Sequence, residues 1–361
     1  MNKHMLFILK TTLLFSPVII STSVIAEDVL LDRQAPIPAA EKSSDSEYLV
    51  PRDLSLIPDT PFGEKVKLGY SLFVNSQTMR GQYVGNEQTC SNCHMQGGAR
   101  ANAAPLWGAF MSYPAYRSKN DKVNTYAERI QGCFTYSMNG LPPEQDSPEM
   151  VALTAYSYWL AMGGLLDKHG MQSTEIPEIS DAAIQLGGKA DSFEMPDALA
   201  KKLPVDKRNA LAGRGFPKIA EPELPASRER GEIVYKEICA SCHGANGEGI
   251  KANGVQSFPP LWGAEAFNWG AGMMRVNTAA YFIYENMPLG KSVQLTNQQA
   301  WDVAIFMNTH ERPQDPRFTG SIEETRSIYH DTPVSYYGIV VDGVLLGENS
   351  YPSQAVDEKG E

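Results

Sequence analysis

Apolar residues recur at helical spacing in two separate parts of the chain. Each set follows residues that favour the start of a helix, Thr60-Pro61 for the first and Ser227 for the second. The apolar positions are Val66, Gly69, Leu72 and Phe73 in the first set, and Gly231, Val234 and Tyr235 in the second. The pattern predicts two similar helices, each with one face directed at a core.

A second pair of helices is predicted further along the chain. Ser147-Pro148-Glu149 precedes one of them, and Thr296-x-x-Gln299 forms a capping box ahead of the other. Their apolar positions include Met150, Leu153 and Tyr158 in the first, and Ala300, Val303, Ala304 and Met307 in the second. The sequence Leu-Trp-Gly occurs between the helices of each pair, at residues 106–108 and 261–263. The chain therefore contains an internal repeat.

The sequence Cys-x-x-Cys-His occurs in each repeat, at residues 90–94 and 239–243. This motif is typical of haem c attachment, in which two thiols form thioethers with the porphyrin and the histidine binds the iron. A redox dithiol or half of a zinc site is the alternative, but neither copy has the second Cys/His pair that zinc requires. We predict two covalently bound haem c groups. They are attached at Cys90, Cys93, Cys239 and Cys242, with His94 and His243 as iron ligands.

These elements predict an all-α protein with two class I cytochrome c domains in tandem, joined by a long Pro-containing connector. The expected segments are a signal peptide (1–26), an extended lead-in (27–61), a first cytochrome c domain (62–168), the connector (169–226), a second cytochrome c domain (227–312) and a C-terminal extension (313–361). In the extension, Asp342-Gly343 lies between apolar runs and predicts a short hairpin.

The start of the chain is typical of an exported protein. Lys3 and Lys10 are followed by an apolar run, which ends in Val24-Ile25-Ala26 before Glu27. An uncleaved anchor is the alternative, although the apolar run is shorter than a bilayer span requires. We expect cleavage, a periplasmic location and no membrane span afterwards.

Charge limits the partners. Without its first 26 residues the chain keeps 29 basic and 42 acidic residues, a net charge of −13. This balance argues against nucleic acid as a partner and leaves basic protein surfaces as docking targets.

The second haem has an ordinary candidate for its distal ligand. Met287 lies 44 residues after His243 and is followed by Pro288, as in the distal segment of a His/Met cytochrome. A methionine buried in the core is the alternative interpretation. Asn286 could hydrogen-bond to the sulfur or exchange with it.

The first haem has two candidates for its distal ligand. Met138 lies 44 residues after His94, but Cys133, the one cysteine outside the two haem motifs, precedes it by five residues. In an α-helix their side chains would point about 140° apart, so only one of them could face the iron. Spacing alone does not decide between them. A thiolate ligand would explain how a single thiol survives in an oxidising compartment.

The residues around Cys133 favour the thiolate. This cluster has no counterpart in the second repeat, and it consists of Arg117, Lys119, Arg129, Ser137 and Asn139. Cations, a hydroxyl and an amide beside a thiolate could receive a small oxyanion. The alternative is a solvated basic loop, or contacts to the haem propionates.

Longer stretches of the chain resemble a known family. The matching segments are Tyr83-Val84-Gly85-Asn86, Cys90-x-Asn92-Cys93-His94, Ala103-Ala104-Pro105-Leu106-Trp107-Gly108, Tyr113-Pro114-x-Tyr116-Arg117 and Arg129-Ile130-x-x-Cys133-Phe134-x-x-Ser137-Met138-Asn139-Gly140. Together with Asn286-Met287-Pro288 they resemble the dihaem thiosulfate dehydrogenases. The resemblance does not cover the lead-in or the chain after Pro313.

The resemblance implies that the chain couples two thiosulfates to tetrathionate and passes two electrons to an external acceptor, for which a c-type cytochrome is expected. The reverse reduction is also implied for some members. It implies an active-site haem with His94 and Cys133 as ligands, and an electron-transfer haem with His243 and Met287. Some members have a lysine before that methionine, whereas this chain has Asn286.

The expected mechanism is nucleophilic. Cys133 would leave the iron and bond to one thiosulfate, which the second thiosulfate would then attack. Arg129, Arg117 and Lys119 would hold the anions, and Ser137 and Asn139 would donate hydrogen bonds to sulfonate oxygens. The competing interpretations are a dihaem electron carrier with Met138 as ligand, a subunit of a sulfur-oxidising complex without independent activity, and a dihaem peroxidase.

Overall fold

The structure is a computed structural model that describes residues 51, 53–117, 120, 122–168, 213–291 and 294–355. The predicted signal peptide, the larger part of the lead-in and most of the connector therefore lie outside the described residues. The same holds for Lys119. The segment boundaries given above remain predictions.

Helices form most of the first repeat. They are α1 (Pro61–Val74), α2 (Met95–Gly98), α3 (Leu106–Met111), α4 (Tyr126–Gly132) and α5 (Pro148–Lys168). Shorter turns occupy Leu54–Leu56, Ser76–Met79 and Cys90–Asn92, and a π-helical turn spans Cys133–Ser137. Strands β1 (Ala115–Arg117) and β2 (Lys122–Asn124) form an antiparallel pair. Helices α1 and α5 pack together over a core that includes Phe73, Trp107 and Tyr156.

The second repeat has the same order of principal helices. They are α6 (Arg228–Val234), α7 (Ala240–His243), α8 (Val276–Asn286) and α9 (Asn297–Asn308). A π-helical turn at Tyr235–Cys239 leads into α7, and a 3₁₀ turn at Gly272–Met274 leads into α8. Strands β3 (Ile250–Ala252) and β4 (Val255–Phe258) form an antiparallel pair. Its core includes Trp269, Ile283 and Phe306.

A glycine allows the first and last helices of each repeat to cross closely. A Cβ atom on Gly69 in α1 would lie 2.0 Å from the carbonyl oxygen of Ala152 in α5. A Cβ atom on Gly231 in α6 would lie 1.9 Å from that of Asp302 in α9. No side chain fits at either position, because the obstructing atom belongs to the backbone. The two repeats thus pack their first and last helices together in the same way.

The predicted helix starts are confirmed. The Thr60 side chain accepts a hydrogen bond from the Gly63 amide, and Pro61 is the first residue of α1. Ser227 caps α6 in the same way, and Thr296 forms the capping box with Gln299 at the start of α9. These contacts are local, so the sequence pattern was sufficient to place them.

The C-terminal extension consists of α10 (Ile322–Thr325), a π-helical turn at Arg326–His330, and strands β5 (Val340–Val341) and β6 (Val344–Leu345). The hairpin predicted at Asp342-Gly343 is confirmed. Asp315 is buried, and its carboxylate accepts hydrogen bonds from Arg317 at 2.6 Å and from His330 at 2.9 Å.

The fold is dominated by helices, as predicted. The described residues add three short antiparallel strand pairs, of which only the last was predicted. Arg117, for which a solvated basic loop was the alternative interpretation, lies in β1, where it pairs with Lys122 of β2. No helix among the described residues is both long enough and apolar enough to cross a bilayer.

We predict that Gly231→Ala will destabilise the holoprotein by about 3 kcal/mol, because the new methyl group would force α6 away from α9. The measurement is denaturant unfolding followed by haem absorbance. Gly215→Ala is the matched control, since a Cβ there has no heavy atom within 4 Å, and its effect should stay within about 0.5 kcal/mol. Equal effects of the two substitutions would contradict the close crossing.

Asp315 generates a second prediction, about stability and pH. Burial opposes ionisation of Asp315, but the hydrogen bonds from Arg317 and His330 outweigh it and hold the pKa of the carboxyl below its ordinary value of 3.8. Its stabilising contribution is therefore complete above pH 3.8 and is lost as the pH falls through the folded-state pKa.

Asp315→Asn should cost about 3 kcal/mol at pH 7, because it leaves a buried cation without its partner, and the cost should shrink in strong acid. Unfolding curves at pH 7 and pH 3 measure both effects. Asp342→Asn removes an exposed partner of Arg228 and should cost at most about 1 kcal/mol. A cost for Asp315→Asn that is equally small would refute the assignment.

Candidate functional site

The first cysteine pair, Cys90 and Cys93, follows α1 and segment 74–89. This segment is an insertion relative to the second repeat, in which the helix leads directly into the haem motif. Cys90 begins the short turn Cys90–Asn92, and its amide donates to the Ser76 hydroxyl oxygen at 3.1 Å. That hydroxyl lies 3.2 Å from the Cys90 sulfur. The insertion, which the second repeat lacks, therefore fixes the start of the first motif.

The two motif histidines are oriented in the same way. Nδ1 of His94 donates to the Ala104 carbonyl oxygen at 2.5 Å, and Nδ1 of His243 donates to that of Pro259 at 2.9 Å. Both carbonyls lie two residues before the leucine of a Leu-Trp-Gly sequence. With Nδ1 donating to a carbonyl, Nε2 is the nitrogen that can bind iron. Burial lowers the pKa of His243, which also favours the neutral, ligating imidazole.

Cys133 begins the π-helical turn that follows α4. Nη1 of Arg129, one turn earlier, lies 2.9 Å from the Cys133 sulfur. Burial raises the pKa of the Cys133 thiol, but Arg129, a hydrogen bond from His94 and the charge of Arg117 more than compensate and lower the pKa to about 7. The Cys133 sulfur and the imidazole of His94 therefore face each other.

The neighbouring cysteines have the opposite preference. Burial raises the pKa of Cys90 and of Cys93 to about 12, and the negative charge of Cys133 contributes to both shifts. Three cysteines are thus close together, but only Cys133 has a guanidinium beside it. Arg129 therefore favours the thiolate form of Cys133.

The π-helical turn changes the relation between Cys133 and Met138. The expected 140° between their side chains assumed an α-helix, and that assumption is wrong. The Met138 amide donates to the Cys133 carbonyl oxygen at 3.0 Å, an i→i+5 bond that places the two residues about one turn apart. Met138 is 2% exposed and packs in the core of the first repeat. Met138 therefore lies about one turn after Cys133, in the core of the first repeat.

The other predicted anion ligands are not all gathered at the sulfur. Arg117 donates to the Tyr113 hydroxyl and contributes to the lowered pKa of Cys133. Ser137 ends the π-helical turn and is partly exposed. Asn139 is buried, with its Oδ1 accepting from Asn268 at 3.1 Å and from Ser353 at 3.1 Å. Its Nδ2 has no hydrogen-bond acceptor among the described residues.

Met287 and its neighbour form the candidate distal segment of the second haem. Met287 follows the last residue of α8 as its C-cap and packs against the core of the second repeat. Asn286 is buried, and its Nδ2 donates to the carbonyl oxygens of Phe282 and Asn102, both at 3.2 Å. The Asn286 amide is thus tied to the first repeat.

The segments that carry the two candidate haem sites are in contact with each other. Met95, which follows His94, packs in the core of the second repeat. Nδ2 of Asn102 donates to the carboxylate of Glu285 at 3.0 Å. The segment after the first haem motif therefore contacts the segment before Met287.

The residues present fit two haems. Beyond the cysteine pairs and oriented histidines, Nη1 of Arg100 is buried without a hydrogen-bond partner among the described residues, as is Nδ2 of Asn139. Buried donors of this kind need acceptors, and haem propionates can supply them. No cluster of three or more His, Cys, Asp or Glu side chains in the described part of the chain is arranged to hold a metal ion.

Sequence reasoning missed Asn268 and Arg317, which contact the π-helical turn, and Arg275, whose charge acts on that of Arg117. The Asn268 amide donates to the Tyr136 carbonyl oxygen at 3.2 Å, and the Arg317 guanidinium lies 5.1 Å from the centre of the Tyr136 ring. The charge of Arg275 interacts with that of Arg117 and Arg317. All three residues lie more than 130 positions away in sequence, and no local motif marks them.

Comparison with known proteins agrees with these features. Residues 78–163 match the family model described as SoxA/TsdA, cytochrome c domain, and residues 228–311 match the model for cytochrome c. A thiosulfate dehydrogenase of Stutzerimonas stutzeri is 44% identical over 327 residues, which cover 90% of this chain and 93% of that protein. A thiosulfate dehydrogenase of Thiomonas intermedia is 46% identical over 298 residues, or 82% of each protein.

A solved structure has the same fold. It is the thiosulfate dehydrogenase TsdBA of Marichromatium purpuratum, which is 42% identical with a TM-score of 0.69 and matches 84% of this chain. The present chain spans 58% of the length of that solved chain. Because its similarity to curated relatives extends over most of both proteins, this chain belongs to the thiosulfate dehydrogenase family, with two cytochrome c domains in tandem and two covalently bound haems.

Proposed function

We propose that this chain oxidises two thiosulfates to one tetrathionate in the periplasm and passes two electrons to an external acceptor. The observation that carries the proposal is the pairing of Cys133 with Arg129 at 2.9 Å, beside the imidazole of His94. A redox carrier has no need of a thiolate held by an arginine. A nucleophile that reacts with a sulfur anion needs both the thiolate and the arginine beside it.

Electrostatics explains why the site attracts its substrate. Thiosulfate is a dianion, and the chain as a whole is acidic. Arg129 and Arg117 supply local positive charge near the Cys133 sulfur, where a guanidinium can donate two hydrogen bonds to a sulfonate. Lys119, Ser137 and Asn139 remain candidates for further contacts to the same anions.

The proposed steps balance in atoms and electrons. The Cys133 thiolate and the outer sulfur of one thiosulfate form an S–S bond, with loss of two electrons. The outer sulfur of the second thiosulfate then attacks the sulfur of the bound thiosulfate, releases tetrathionate and restores the Cys133 thiolate. Arg129 stabilises this thiolate both before the first step and after the second.

The haems, held by the residues described above, would each accept one of the two electrons. His94 and Cys133 are the proposed ligands at the first site, with His243 and Met287 at the second. The contact of Asn102 with Glu285 and Asn286 supports electron transfer from the first site to the second. Release from the second site to a basic c-type cytochrome is consistent with the charge of −13 expected after export.

The same residues would serve the reduction of tetrathionate, since a reaction and its reverse use the same groups. The preferred direction depends on the potentials of both haems and of the partner. Export to the periplasm is supported by the charged, apolar and small-residue pattern of residues 1–26.

One observation favours a second candidate function. Met138 is buried one turn from Cys133, so a methionine ligand at the first haem would yield a dihaem electron carrier. Such a carrier would exchange electrons normally and form no tetrathionate.

We predict that Cys133→Ala will lower tetrathionate formation by at least about 10³-fold, because it removes the nucleophile. The assay uses the holoprotein with thiosulfate and an artificial electron acceptor, and measures tetrathionate directly. Met138→Leu, which keeps the volume of the core, is the control and should retain turnover within about threefold.

The carrier interpretation predicts the reverse pattern. If neither protein forms tetrathionate while Met138→Leu alters the spectrum of the first haem, the proposed function is wrong.

Replacement of Arg129 tests the electrostatic part of the proposal. Arg129→Gln removes one charge-assisted hydrogen bond, worth about 1.5–3 kcal/mol, so kcat/KM should fall by roughly 10- to 100-fold. Arg129→Lys keeps the charge and should recover part of that loss. Equal activity of the wild type and both variants would show that Arg129 has no part in the reaction.

A further inference from the structure

The turn that begins at Cys133 ends in a row of backbone carbonyl groups that the helix itself cannot all satisfy. The last carbonyl oxygens of any helix lack partners within it, so they need donors from elsewhere. Two of them are satisfied locally. The Met138 amide donates to the Cys133 carbonyl oxygen at 3.0 Å, and the Gly140 amide donates to that of Phe134 at 2.9 Å.

The second cytochrome c domain satisfies the next two carbonyl oxygens. Nδ2 of Asn268 donates to the Thr135 carbonyl oxygen at 2.8 Å, and the Asn268 backbone amide donates to that of Tyr136 at 3.2 Å. Asn268 is buried, so water does not compete for these bonds. One residue of the second domain therefore caps the turn at two consecutive positions.

The inserted segment 74–89 satisfies the two carbonyl oxygens that follow. Nδ2 of Asn86 donates to the Ser137 carbonyl oxygen at 2.9 Å, and the Gly85 amide donates to that of Met138 at 2.9 Å. The six consecutive carbonyl oxygens from residue 133 to residue 138 thus all have donors. Four of these donors belong to segments outside the turn and its helix.

Asn86 is the residue that joins the turn to the second domain. Its side chain is buried, and the second hydrogen of Nδ2 is donated to the Ala266 carbonyl oxygen at 3.0 Å. Its Oδ1 accepts from the Gln88 amide at 3.2 Å. Both hydrogens and the oxygen of the side-chain amide are therefore engaged by described residues. The arrangement does not depend on any group that the site would bind.

Close backbone packing leaves little freedom at this contact. A Cβ atom on Gly85 would lie 2.0 Å from the Asn139 carbonyl oxygen, and one on Gly140 would lie 2.1 Å from that of Tyr83. The obstructing atoms belong to the backbone, so the segments 83–86 and 137–140 can approach this closely only with glycine at both positions.

The insertion is tied to the second domain at two further points. Nε2 of Gln88 donates to the Pro260 carbonyl oxygen at 2.6 Å, and the Glu87 amide donates to that of Glu265 at 3.2 Å. The insertion therefore lies between the end of the turn and segment 260–266, with hydrogen bonds to both.

We infer that Asn86 and Asn268 are positioning residues, which fix the turn that begins at Cys133 on the second domain and thereby hold the Cys133 sulfur in one place. This inference rests on the proposed function, in which that sulfur forms and breaks a bond with thiosulfate in every cycle. A displacement of a reacting group by about 1 Å can lower the rate by about 10²-fold. Neither asparagine needs to touch the substrate for this role.

The first test replaces Asn86 in the holoprotein. Asn86→Asp keeps the size of the side chain but puts an oxygen in place of the NH₂ group that faces Ser137 and Ala266. It should lower kcat for thiosulfate about tenfold or more and leave KM within about threefold, because position rather than binding is lost. The electron paramagnetic resonance signal of the first haem in the oxidised protein should change, while that of the second haem stays as in the wild type.

Gln82→Glu is the matched control. It makes the same change from amide to acid four residues earlier in the insertion, at an exposed side chain. It adds the same negative charge without removing a contact to the turn. Its kcat and KM should stay within about twofold of the wild type, and both haem signals should be unchanged.

Asn268→Ala reaches the same turn from the second domain, and it decides the matter if Asn86→Asp yields no holoprotein. It removes the donor to the Thr135 carbonyl oxygen and leaves the backbone amide bond to Tyr136. It should also lower kcat about tenfold and change the signal of the first haem.

A lower kcat together with an altered signal of the first haem supports the inference. A lower unfolding midpoint with the kcat and both signals of the wild type overturns it, since the asparagines would then serve stability alone. Equal losses of kcat in Asn86→Asp and Gln82→Glu also overturn it, because added charge rather than lost position would be the cause.

The fate of the proposed function is read separately. A wild type that forms no tetrathionate refutes that function, and the signal of the first haem still decides the inference, because it is recorded without turnover. An unaltered signal in both Asn86→Asp and Asn268→Ala overturns the inference. If the wild type and both variants form tetrathionate at equal rates, the proposed function stands and the inference is wrong.

Discussion

The proposed chemistry of the first site depends on the contact between Arg129 and Cys133. Burial alone would raise the pKa of the Cys133 thiol and keep it protonated. The guanidinium at 2.9 Å, with help from His94 and Arg117, lowers the pKa of Cys133 to about 7. A thiolate in this position can ligate iron or attack sulfur, and the same positive charge attracts the anionic substrate.

The rest of the molecule holds this contact in place. Each repeat uses the same frame: a glycine crossing between its first and last helices, and a histidine fixed through Nδ1. The first repeat differs by its inserted segment and its π-helical turn. The second repeat packs against that turn through Asn268 and Gly270, so residues of both repeats surround the turn that begins at Cys133.

The sequence predicted the parts of the fold that depend on local contacts. The caps at Thr60, Ser227 and Thr296, the two haem motifs and the hairpin at Asp342-Gly343 all rest on residues a few positions apart. The distal ligands and the anion-binding residues remain proposals.

Other features could not be predicted because distant segments determine them. The π-helical turn at Cys133 depends on one extra residue per turn, which no periodicity in a five-residue stretch reveals. The packing of Asn268 on Tyr136 joins residues 132 positions apart. The burial of Asp315 between Arg317 and His330 likewise depends on how the extension folds back.

The central claim is that Cys133 forms a covalent intermediate. The most direct test adds tetrathionate to the holoprotein in the absence of any reduced electron acceptor. The peptide that contains Cys133 is then analysed by mass spectrometry without reductant. The account predicts an added S₂O₃ group on Cys133, with release of one thiosulfate and reversal by thiols. A protein that turns over thiosulfate while this peptide stays unmodified under the same conditions would contradict it.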